Sequence, residues 1–150
     1  MTAETDMIKL YSTRILGLAA EIPRLGRLDA PDGSGRVRSP LCGSTVSVDL
    51  RVAEGKVTDY GQDVKACALG QAAAAVVAAN VIGTTEPQVQ QARDALHAML
   101  KQDGPPPAAP FDGLEVLQPA RDYKNRHASI LLALDATLEA FKAAREADCA

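Results

Sequence analysis

Ser39-Pro40-Leu41-Cys42-Gly43-Ser44 leads into Thr45-Val46-Ser47-Val48-Asp49-Leu50-Arg51-Val52, and Val57-Thr58-Asp59-Tyr60 leads on to Val64-Lys65-Ala66-Cys67-Ala68-Leu69-Gly70-Gln71. Residues 45–52 alternate polar and apolar side chains, the pattern of a half-buried strand. Gly55 supplies a turn after them, so 45–52 and 57–60 are predicted to pair as an antiparallel hairpin. If the sheet continues through Val64, both cysteines arrive at the same end of it. Cys67 falls where a strand gives way to a helix, so its sulfur is expected near a helix N-terminus. The partial positive charge there lowers a thiol pKa and favours anions. Cys42 is followed by Gly43, which admits a tight turn and leaves the sulfur approachable. Accessible cysteines in electropositive surroundings are the reactive kind, whereas cysteine also serves as a small core residue, and the residues alone leave both readings open.

Outward from this stretch the chain alternates helices and breakers. Ile8, Tyr11, Ile15, Leu18, Ala19 and Ile22 recur at helical spacing until Pro23 stops the run. Arg24 to Arg38, rich in Gly, Pro, Asp and Arg, reads as a surface loop, with Val37 opening a first strand. Ala68 to Asn80 is a run of small residues that predicts a close-packing helix, with Gly83 as its C′ residue. Thr85-Glu86-Pro87-Gln88 has the form of a capping box with proline in the first turn. Val89, Ala92, Leu96 and Met99 give that helix an apolar face, and Gly104 is expected to end it. Gly104 to Pro110 reads as a stiff internal loop, too short to separate domains. Leu114, Val116 and Leu117 return to the core. A last helix places His127, Ile130, Leu131, Leu134, Leu138 and Phe141 on one face and Glu139, Lys142, Arg145 and Glu146 on the other. The expectation is one α+β domain over residues 1–150, with the tail after about 145 frayed. It comprises a small three-stranded antiparallel sheet packed on about four to five helices in two layers.

Composition narrows the function. Hydrophobic residues make up 47% of the 150, too many for a disordered chain, and with aromatics at 3% the core must be Ala, Val, Leu and Ile. A net charge of −3 argues against nucleic acid as partner, because phosphate contacts need a basic face. The most apolar stretch, Ala66 to Gly83, is interrupted by Gln71 and Asn80 and reads as a buried helix, not a membrane span. No basic-plus-apolar leader opens the chain, which predicts no secretory signal and a cytoplasmic protein. Three cysteines is an odd count, which argues against a disulfide framework and for free or metal-bound thiols. Cys149, in the last two residues, is expected to have no part. There is no glycine-rich phosphate loop, no nucleophile elbow and no serviceable His–Cys pair, so an enzyme is not expected.

Pro40-Leu41-Cys42-Gly43, the hairpin, and Lys65-Ala66-Cys67-Ala68-Leu69-Gly70-Gln71-Ala72 resemble the paired cysteine motifs of NifU/IscU-type iron–sulfur cluster scaffolds. The resemblance covers nearly the whole chain. Arg126-His127-Ala128-Ser129-Ile130-Leu131 is similar to the family's third motif, a basic residue, two further positions, then a cysteine opening a helix. The spacing from Cys67 to Ser129 (129 − 67 = 62) is closer to the SufU branch than to IscU. What the resemblance implies is a scaffold that builds a transient cluster from iron and from sulfur supplied by a cysteine desulfurase, then passes it to recipient iron–sulfur proteins. The family's ligands are three cysteines and an aspartate. Cys42 and Cys67 match the first two cysteines, Ser44 stands where the family has the aspartate, and Ser129 where it has the third cysteine. Ala128 occupies a position that is often histidine in IscU. The hydrophobic-Pro-Pro-Val-Lys segment that IscU offers its chaperone has no counterpart in Ala120 to Arg126.

Those departures bear on the cargo. Clusters are held by four thiolates, occasionally with histidine, and a serine hydroxyl is a poor ligand because it must lose a high-pKa proton. One subunit therefore offers two good ligands, Cys42 and Cys67, with Ser44, Ser129 and His127 as secondary candidates. The implied cofactor is an iron–sulfur cluster, of the [2Fe–2S] type, or iron, ahead of zinc, which wants four ligands in a structural site. Three routes stay open: a homodimer sharing one cluster, His127 as a third ligand, or a lost cluster site. The last would leave a sulfur-accepting thiol or an adaptor. Lys65, Lys124 and Arg126 could stabilise a persulfide or an anionic cluster, or could be solvated surface charges. Asp59 and Asp63 flank the second cysteine and could ligate iron, but alternation puts them on the polar face of their strand, so solvent is their expected surrounding, as it is that of His97 on a helix surface.

Overall fold

The alternation of Thr45 to Val52 is realised as the central strand of a three-stranded antiparallel sheet. The computed structural model describes residues 13–40 and 43–149, with the side chains of 148 and 149 excepted. Helix α1 spans Thr13–Ala20, strand β1 Gly33–Arg38, β2 Thr45–Ala53 and β3 Lys56–Lys65. Helix α2 spans Ala68–Asn80 and α3 Glu86–Gln102, followed by 3₁₀ segments Asp112–Asp122 and Lys124–Arg126 and by α4, His127–Cys149. The strand order is β1-β2-β3. Glu54 and Gly55, both at positive φ (54° and 79°), form the two-residue turn that joins β2 to β3. Among the described residues no helix is long and apolar enough to cross a membrane.

The register sets the two faces. Val37 pairs with Val46, which pairs with Val64, and Gly33 pairs with Leu50, which pairs with Tyr60. These residues point to the helical layer, where α4 lies over β1 and β2 and also packs on α2 and α3. Tyr60, fully buried, ties the layers together through its hydroxyl, 2.9 Å from Thr137 Oγ1 on α4. The core is Ala, Val, Leu and Ile with Tyr60, Met99, Phe111 and Phe141 added. The opposite face is covered near Asp49 by the segment before β1. Arg27 donates to Asp49 through Nε (2.6 Å) and Nη2 (2.9 Å), Leu28 N–H donates at 3.0 Å, and Ser34 Oγ at 2.5 Å.

Three expectations change. The loop expected from Arg24 to Arg38 ends at Asp32, because β1 begins at Gly33 rather than near Val37. Its glycines are there for proximity: a Cβ at Gly33 would lie 2.1 Å from the Ala140 carbonyl oxygen, and one at Gly35 2.4 Å from that of Ala136. Gly83 is not the C′ residue of α2, which is capped at Val81; Gly83 (φ +85°) sits in the next turn and donates to Val57 O at 2.8 Å. The left-handed residue closing α3 is Asp103 (φ 60°), one before Gly104. Leu114 and Leu117 belong to a 3₁₀ helix of 11 residues, in which Leu114, Leu117 and Ala120 recur every third position and are all buried. The Thr85–Gln88 capping box is formed as expected. The stretch before residue 13, with Ile8 and Tyr11, lies outside the described residues.

Candidate functional site

Thr45 at the start of β2 pairs with Lys65 at the end of β3, so the β1–β2 connection and the β3–α2 junction share one end of the sheet. Two backbone bonds close that connection, Ser39 N–H to Ser44 O (2.8 Å) and Gly43 N–H to Ser39 O (3.0 Å). Cys42 belongs to that connection in sequence and is outside the described residues, as is the side chain of Cys149.

Two residues past β3, Cys67 is the N-cap of α2, extended at φ −68° and ψ 170°. Its side chain is half-buried and not in a disulfide. Gln71 N–H bonds to its carbonyl at 2.9 Å, so the helix begins directly on it. The sulfur lies 3.4 Å from Ser129 Oγ, in the first turn of α4, and Ser129 Oγ lies 3.3 Å from Ser44 Oγ at the foot of β2. Three elements thus bring one thiol and two buried hydroxyls into a single chain of contacts. Burial pushes the Cys67 thiol up. The Ser129 hydroxyl, the N–H groups of Gly70 and Leu69 facing the sulfur, and the charge of Arg126 more than offset it, leaving the thiol below its ordinary value. The N–H groups face the sulfur without closing a cap hydrogen bond, so they act as the helix-terminus field does.

Gly70 is the residue that sequence reasoning missed. A Cβ there would lie 2.6 Å from Ser129 Oγ and 3.1 Å from Ser129 O. The signal available was a glycine three positions after the cysteine, one helical turn on and therefore on the same face.

The other candidates lie apart from this cluster. His127 is 1% exposed, and its Nε2–H is shared between the carbonyls of Ala120 and Arg121, each at 3.0 Å. Burial holds its pKa below the ordinary histidine value. The ring therefore fastens α4 to the preceding 3₁₀ segment and is not turned to Cys67. Lys65 and Lys124 are exposed, Asp63 is exposed, Asp59 meets Arg24 at 4.0 Å, and His97 is half-buried on α3. Among the described residues no three His, Cys, Asp or Glu side chains converge as a metal site.

Comparison with known proteins fixes the lineage. The family model described as NifU-like N terminal domain matches residues 10–129. The chain belongs to that family. A crystal structure of a NifU-like protein (N-terminal) from Brucella abortus is 46% identical, with a TM-score of 0.91 over 94% of this chain and 98% of that one. A putative iron–sulfur cluster assembly scaffold protein for the SUF system from Fervidobacterium islandicum shares the fold at 18% identity, TM-score 0.78, over 89% of this chain and 98% of that one. A hypothetical protein of known structure does so at 24% and 0.78, over 90% and 98%. No curated protein matches the chain. In this NifU-like domain, Cys67, Ser129 and Ser44 are neighbours in space.

Proposed function

We propose that this NifU-like domain is a scaffold or carrier in iron–sulfur cluster assembly, holding a transient cluster or iron through Cys42 and Cys67. The observation that carries the reading is Cys67 itself. It is a half-buried thiol at a helix N-terminus, kept below its ordinary pKa, at the end of the sheet where the Cys42 connection arrives. Membership of the family, with 120 matched positions (129 − 10 + 1), supports it, as does the fold shared with the SUF-system scaffold. A thiolate is the donor that iron and iron–sulfur units select. The fit of a complete cluster to one copy is poor, since Ser44 and Ser129 offer hydroxyl oxygens. Two copies, each giving Cys42 and Cys67, would supply four thiolates. Sulfur would come from a cysteine desulfurase and the cluster would pass to recipient iron–sulfur proteins in the cytoplasm, with no turnover by the scaffold itself.

Anaerobic reconstitution with iron and sulfide is expected to give a brown protein with visible charge-transfer bands. Cys67→Ala and Cys42→Ala should each abolish them. A wild-type protein that stays colourless, and that brings no metal through anaerobic purification, would refute the proposal.

The activated thiol also favours a second reading, sulfur acceptance. The Cys67 thiolate attacks the outer sulfur of a desulfurase persulfide. A new S–S bond forms on Cys67, the donor's S–S bond breaks, and the donor cysteine leaves as a thiolate that takes up a proton, with no net oxidation. This reading requires a mass gain of one or more sulfur atoms on incubation with desulfurase and cysteine, lost in Cys67→Ala; an unchanged wild-type mass excludes it.

A further inference from the structure

The two positions that the family motif would fill with ligands beside Cys67 hold hydroxyls that are already engaged. Ser129 Oγ stands between Cys67 Sγ at 3.4 Å and Ser44 Oγ at 3.3 Å, and Ser129 is 1% exposed. To enter coordination, Ser129 would have to shed a high-pKa proton inside this enclosure and give up the hydrogen bond that the proton makes. Left protonated, it does something else well. With Cys67 as a thiol, S–H donates to Ser129 Oγ and Ser129 O–H donates on to Ser44. When the sulfur is a thiolate or is bound to cargo, the Ser129 hydroxyl turns toward the sulfur. Only an O–H rotation separates the two states, so the sulfur keeps its partner in each.

The close approach this needs is built into the backbone. Gly70 faces Ser129 one turn into α2, and any side chain there would meet the hydroxyl at 2.6 Å and the Ser129 carbonyl at 3.1 Å. His127, two residues before Ser129, anchors the start of α4 to the carbonyls of Ala120 and Arg121 and so fixes where that turn sits.

We infer that Ser129 is a positioning residue for the sulfur of Cys67 and not a metal ligand. The inference rests on the scaffold reading only in taking Cys67 as the functional sulfur. Hydrogen bonds to cysteine sulfurs tune how they hold metals and clusters, and losing such an outer partner weakens metal binding without removing a ligand.

The test reads Cys67 in the whole, metal-free chain. Iodoacetamide labelling at one near-neutral pH is followed by peptide mass mapping, so that Cys42 and Cys149 are counted apart. Ser129→Ala is expected to slow labelling of Cys67 by about threefold, because the thiolate loses a donor. An unchanged or faster rate in Ser129→Ala overturns the inference. Thermal unfolding checks that the variants fold. Should Ser129→Ala fail to fold, Gly70→Ala, whose methyl would meet Ser129 Oγ at 2.6 Å and push it from the sulfur, decides in its place: slowed labelling supports the inference and an unchanged rate overturns it. A second readout uses cobalt(II). Loss of metal stoichiometry in Ser129→Ala would make it a ligand and also overturn the inference, whereas an unchanged stoichiometry with a displaced sulfur-to-cobalt band supports it. Colourless iron–sulfide reconstitution would strike the scaffold proposal and leave the labelling result standing.

Discussion

Asp49 shows how one carboxylate fixes a segment with no regular structure of its own. Its side chain is 1% exposed, while Arg27, its main partner, is 58% exposed. The Arg27 hydrogen bonds outweigh the burial that would push the carboxyl up; Ser34 and the Leu28 N–H add to them, and the pKa is pushed down to about 2. A folded pKa below the unfolded value of 3.8 means stability that is present above about pH 4 and lost as pH falls toward 2. The size is about 2 kcal/mol, reduced somewhat by the solvent around Arg27. Asp49→Asn is accordingly expected to lower unfolding free energy at pH 7 by about 1–2 kcal/mol and to flatten the acid limb of the stability profile. Denaturant titrations at pH 7 and pH 3 check both, and equal losses at the two pH values would contradict the account. The buried carboxylate is an aspartate in the middle of an alternating strand, which in sequence looks like any solvent-facing residue. What distinguishes it is Arg27, 22 positions away, and no local pattern carries that.

At the scale of elements, short-range chemistry was readable and long-range proximity was not. The Glu54–Gly55 turn and the Thr85–Gln88 capping box each involve neighbours within a few residues, so composition at those positions dictates them. Strand β1 was hidden because Gly33-Ser34-Gly35 has turn-like composition, whereas its real role is to leave room for α4. Gly35→Ala would drive a methyl to within 2.4 Å of the Ala136 carbonyl oxygen and should cost about 1–3 kcal/mol by forcing strand and helix apart. Gly17 in α1 is the contrasting case: a Cβ there meets nothing within 4 Å, so Gly17→Ala should stabilise by about 0.5–1 kcal/mol through helix propensity. Thermal unfolding of the pair separates a packing glycine from a tolerated one; a neutral Gly35→Ala would refute the close-approach reading.

In the whole molecule, α4 is the element that every layer leans on. It packs on β1, β2, α2 and α3, and its residues Ile130 to Leu134 are buried all round. Amides in that part of α4 should exchange with solvent only through global unfolding, while those of α1, with Ile15 its one buried side chain among the described residues, should exchange by local opening. Hydrogen exchange followed by mass spectrometry checks the order, and early exchange in residues 130–134 would contradict it. The same helix delivers Ser129 to Cys67 and to Ser44, across separations of 62 and 85 residues. By itself the sequence determined the β2–β3 hairpin, the helix boundaries at Ala68 and Glu86, the α+β class and the two cysteine motifs. These rest on periodicity, on caps and turns, and on the order of residues within a motif. Only the tertiary structure decided that Ser129 touches the Cys67 sulfur, that Gly70, Gly33 and Gly35 are spaces for a neighbour, and that His127 belongs to a helix junction. Each of those depends on which surfaces meet when the apolar faces are buried together, a property of the folded chain and not of any one stretch of it.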